Sequence, residues 1–78
     1  MSDQRLAEQL FVQVMSQIDK TYEEECNMAI DVFLEEEFTM DELKRMLLYV
    51  LGRVKEDRRQ MVQERIEQKI GPLADAEK

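Results

Sequence analysis

Apolar residues recur through the first half of the chain at Ala7, Phe11, Val14, Ile18, Tyr22, Cys26, Ala29 and Phe33. Their spacing is close to the ~3.6 residues per turn of an α-helix. Leu6, Leu10 and Ile30 widen the stripe, and no glycine or proline interrupts it. A second amphipathic run follows, with Leu43, Met46, Leu47, Val50, Leu51 and Val54 on its apolar side. Between the runs, Thr39-Met40-Asp41-Glu42 fits a capping box. In that motif the threonine hydroxyl and the glutamate carboxylate each satisfy a backbone donor at a helix start. The pattern predicts a helix from about 40 to about 70, closed by Gly71-Pro72, because glycine suits the position after a helix and proline cannot continue one. Ser2 is expected to cap a helix starting at Asp3, and residues 71–78 are expected to form a flexible tail.

Two all-α architectures follow for a single domain over residues 1–70. In one, a helix over about 3–37 folds back on the helix 40–70 as an antiparallel hairpin, which dimerises into a bundle. At about 1.5 Å per residue the arms would be roughly 52 and 46 Å long. In the alternative, a turn near residues 19–21, marked by Thr21-Tyr22-Glu23-Glu24, gives a three-helix arrangement with a long C-terminal helix. No strand pattern and no repeat competes.

On a continuous helix 40–70, at about 100° per residue, Leu43, Leu47, Val50, Val54 and Met61 share one face. Leu48, Val62, Ile66 and Ile70 fall on another, rotated by roughly 140°, together with Gly52 and Arg59. A hairpin buries one face of a helix. The second is therefore expected to be an interface, with Gly52 admitting a neighbouring helix. A two-fold homodimer is the expected arrangement, since chains this short bury a limited core.

Composition narrows the function. The chain has no histidine and one cysteine, Cys26. Cys/His zinc sites and His-activated nucleophiles are therefore absent by inventory. No phosphate-binding glycine loop or metal-ligand spacing occurs, and no cofactor is expected. The longest apolar run, Met46 to Leu51, is far short of the ~20 residues that span a membrane. A lone cysteine, placed on the apolar stripe, fits a buried small hydrophobe and a cytoplasmic setting.

Net charge is −7 and unevenly spread. Residues 1–42 carry twelve acidic side chains against Arg5 and Lys20, a net −10; residues 43–78 carry nine basic against six acidic, a net +3. The acidic surface, with Glu24, Asp31 and Glu35 at its centre, suits a basic partner or a mimic of nucleic-acid charge. A hard-cation site lacks the required loop spacing. The basic segment (Arg53, Lys55, Arg58, Arg59, Arg65) could face nucleic acid, but acidic neighbours dilute it and no aromatic residue follows Tyr49 for base stacking. The expectation is a non-enzymatic helical module, a regulator, adaptor or inhibitor, that binds another protein through helix faces. The scattered methionines suit either core filling or an adaptable partner surface.

Overall fold

The computed structural model describes residues 3–73; the Ser2 cap and tail residues 74–78 lie outside them. The described chain is all-helical: α1 (Asp3–Met15), a 3-10 turn (Lys20–Tyr22), α2 (Glu23–Glu35), α3 (Met40–Leu51) and α4 (Glu56–Ile70). The chain therefore breaks twice where the periodicity ran on. The turn at residues 16–22 is the one the three-helix alternative allows for. The break at 52–55 belongs to neither expected architecture. The longest extent is 30 Å, too short for arms of roughly 50 Å.

Local chemistry explains several of these boundaries. The capping box at α3 forms as expected: the Glu42 N–H donates to Thr39 Oγ1 at 3.2 Å and the Thr39 N–H donates to Glu42 Oε1 at 2.8 Å. At the first turn the cap is Asp19, not Thr21; its Oδ1 accepts the Thr21 N–H at 3.0 Å. The second break is stabilised by Arg59. Its guanidinium donates from Nε to the Leu51 carbonyl (3.1 Å) and from Nη2 to the Val54 carbonyl (3.1 Å). The Leu51 carbonyl also accepts the Val54 N–H at 3.1 Å, and the Val54 carbonyl lies in the turn beyond α3; the charged fork adds donors where the helix no longer supplies them. Gly71 has φ 88°, a left-handed conformation that favours glycine.

The two breaks meet. Ile18 and Val54 form an isolated antiparallel bridge, with the Asp19 N–H donating to the Arg53 carbonyl (3.1 Å) and the Lys55 N–H to the Gln17 carbonyl (3.4 Å). Carrying Ile18 onto Val54, an offset of 36 positions, exchanges these two hydrogen bonds. The same offset carries Ser16 N–H→Val12 O onto Gly52 N–H→Leu48 O, and Gln17 N–H→Val14 O onto Arg53 N–H→Val50 O. It also pairs buried residues: Ala7/Leu43, Phe11/Leu47, Val14/Val50, Ile18/Val54, Cys26/Val62 and Ile30/Ile66. The chain is thus an internal repeat of two helix–turn–helix units, contrary to the sequence-based expectation of none. Over residues 3–37 the halves share identity only at Val14/Val50 and Ile30/Ile66.

The core is entirely apolar among the described residues. α1 packs against α2, α3 and α4, and α3 packs against α4. Leu73 is a further correction. It is completely buried, and its N–H donates to Glu67 Oε2 at 2.8 Å. Residues 71–73 thus belong to the packed domain rather than to a flexible tail.

Candidate functional site

α2 faces two ways. Cys26 and Ile30 point into the core, and Phe33 packs edge-on against Phe11 with ring centroids 5.8 Å apart. Met28 and Val32, four residues apart, lie on the opposite side, and each is 64% exposed. They open onto a groove between α2 and α3 with a volume of about 650 Å³. Phe33 and Phe38, stacked at 4.7 Å, lie at one end; Met46 and Tyr49 of α3 complete the apolar wall.

The two ends of the groove differ electrically. Glu36, Glu37 and Glu42 line the end where α2 stops and α3 begins. No basic residue occurs between Lys20 and Lys44, and the last turn of α2 holds none. Glu42 is held below the ordinary carboxylate range by its bonds from Thr39, with a smaller attraction from Arg45. The far end is balanced. The Tyr49 hydroxyl donates to Glu25 Oε1 at 3.2 Å, and the Arg53 guanidinium lies 5.2 Å from the ring centroids of both Tyr22 and Tyr49. This cation–π clasp joins the first turn to the groove wall.

The internal repeat supplies a control within the molecule. Met28 and Val32 of α2 match Glu64 and Gln68 of α4, the polar residues expected at such positions of a surface helix. The equivalent pair, α4 and α1, packs more closely than α2 and α3 do. Leu73, at the position matching Glu37, is fully buried. One half therefore has an apolar groove beside Met28, where the counterpart Glu64 lines a polar depression of about 480 Å³. A second, smaller depression of about 410 Å³ between α1 and α2 includes Val12 and Met15, but Glu8, Asn27 and Asp31 also line it.

The interface expected from sequence is largely rearranged. Val62 and Ile66 are buried in the domain's own core, and Leu48 and Ile70 pack half-buried against it. The phase argument failed because the break at 52–55 resets the helix, so residues after it face inward. Arg59 caps α3. Gly52 admits no neighbouring helix: a Cβ there would meet only carbonyl oxygens of Tyr49 and Leu48, the nearer at 3.3 Å. Glu24, Asp31 and Glu35 are exposed as expected; Asp31 borders the smaller depression, and Glu35 lies beside Glu36 and Glu37. Sequence reasoning overlooked Val32 and Phe38. The available signal was the Met28/Val32 pair, apolar residues one turn apart and off the core stripe.

Cys26 is buried, which pushes its thiol pKa up, as suits an inert core position. Among the described residues, no group of three or more His, Cys, Asp or Glu side chains is placed to hold a metal ion. No helix among them is long and apolar enough to cross a membrane. Comparison with protein-family models, curated proteins and solved structures gives no match.

Proposed function

We propose that this chain is a protein-binding module that takes the apolar face of a partner's helix in the groove between α2 and α3. The observation that carries this reading is the exposure of Met28 and Val32 where the matching half of the molecule has Glu64 and Gln68. Exposed apolar side chains at one of two equivalent sites cost solubility without benefiting the core, so they call for an occupant. Methionine suits such a surface because its unbranched side chain adapts to the partner. A helix laid in a groove is a common recognition mode and needs only a few apolar anchors.

A second copy of the chain fits the groove poorly. Val62 and Ile66, the residues expected at a dimer face, are core. The nucleic-acid alternative also loses support. Arg59 is committed to carbonyls of the second turn and Arg53 to the tyrosine clasp.

Site-specific photo-crosslinking tests the reading. A photoreactive residue at Val32 should give discrete protein adducts in an extract of the native host, while one at the matching Gln68 should give none. Equal labelling at both positions, or none at Val32, would contradict it.

A further inference from the structure

We infer that the groove's occupant is a basic-flanked amphipathic helix, oriented with its cationic end at the turn between α2 and α3; this deepens the reading above and rests on it. The apolar wall runs along α3 from Glu42 past Met46 to Tyr49. The seven residue steps at about 1.5 Å each give a floor of roughly 10 Å, about two helical turns. That length accommodates apolar side chains of a partner at positions such as i, i+4 and i+7, set against Met28, Val32 and Met46.

The chemistry at the two ends fixes the direction. Glu36, Glu37 and Glu42 line one end; the C-terminus of α2 and the N-terminus of α3 meet there and their poles offset one another, so the carboxylates set the charge. Arg45 is the nearby cation that offsets part of this charge through Glu42. Glu36 and Glu37 are exposed, so a partner's lysine or arginine can reach them. At the opposite end the charges already answer one another: Glu25 accepts from Tyr49, and Arg53 lies against that tyrosine's ring. An added cation there would meet a guanidinium. A cationic flank therefore gains at the α2–α3 turn and not at the Tyr49 end. The partner's own helix dipole acts in the same sense when its N-terminus is at the acidic end. Complementary charge of this kind sets register and rejects wrong partners more than it adds raw affinity.

The test uses the full chain and three fluorescent helical peptides of about 16 residues. All share the same leucine anchors at i, i+4 and i+7. One carries three lysines in its N-terminal turn, one has glutamines in their place, and one carries the lysines in its C-terminal turn. Fluorescence anisotropy near 0.15 M salt should show the N-terminal lysine peptide binding on the order of tenfold more tightly than the glutamine peptide. The double variant Glu36→Gln, Glu37→Gln, altered only at exposed positions, should erase most of that difference. Equal binding of the lysine and glutamine peptides would overturn the basic-partner inference while leaving the groove itself intact. Equal binding of the two lysine peptides would overturn the orientation. Failure of all three to bind would count against both the inference and the groove.

Discussion

Ile18 and Val54 face one another across an antiparallel bridge at the point where the two halves of the chain exchange backbone hydrogen bonds. Both are buried, so the bridge is an apolar pin as well as a backbone contact. Ile18→Ala should cost about 2–4 kcal/mol, in the range of large-to-small core substitutions. Urea unfolding would measure it, and a loss under about 0.5 kcal/mol, typical of surface sites, would show that the two turns do not hold each other.

The second break depends on a charged side chain rather than on glycine. Arg59→Ala should cost about 1–2 kcal/mol, because it removes the donor to the Val54 carbonyl and one of the two donors to the Leu51 carbonyl. Arg58→Ala, at an exposed neighbouring position, should change stability by less than about 0.5 kcal/mol. Equal effects from the two variants, read by thermal melts, would remove Arg59 from this role.

The two glycines should respond differently. Gly71→Ala imposes a left-handed backbone on a residue with a Cβ and should cost about 1 kcal/mol. Gly52 is matched in the first half by Ser16, which makes the same backbone bond. Gly52→Ser should therefore stay within about 0.5 kcal/mol of the parent. A large loss at Gly52 would mean that the repeat does not extend to this turn.

Acid should weaken the fold through two helix caps. Asp19 and Glu42 are held below their ordinary pKa values of 3.8 and 4.5, chiefly by backbone hydrogen bonds from Thr21 and Thr39 respectively. Groups lowered in the folded state stabilise it above their unfolded values, and that contribution is lost as pH falls through the folded ones. Melting temperature should therefore begin to drop below about pH 4.5, and Glu42→Gln should make the fall shallower. An unchanged slope in that variant would assign the acid loss to other carboxylates.

The helical class and the α3 cap were legible in the sequence because both are local: an apolar period and a four-residue capping motif. The break at 52–55 was not, since Arg59 caps it from the far side of the break and a one-dimensional periodicity does not register such a contact. Missing that break displaced the phase of everything after it. Val62 and Ile66 then appeared as surplus surface when they are the counterparts of Cys26 and Ile30. The repeat was obscured by charge. Pairs such as Glu8/Lys44, Asp19/Lys55 and Glu23/Arg59 reverse sign, and the shared signal is confined to apolar size at a few buried positions. The groove became legible only with the repeat, which shows that Met28 and Val32 are apolar where their counterparts are polar.

Methionine methyl resonances test the groove most directly, because the native sequence already places probes inside and outside it. Met28 and Met46 line the α2–α3 groove, Met15 lies in the smaller depression beside α1, and Met61 sits on α4. Adding the leucine-anchored peptide with N-terminal lysines to methyl-labelled protein should shift Met28 and Met46 and leave Met15 and Met61 in place. Shifts centred on Met15 or Met61, with Met28 and Met46 unmoved, would contradict the account.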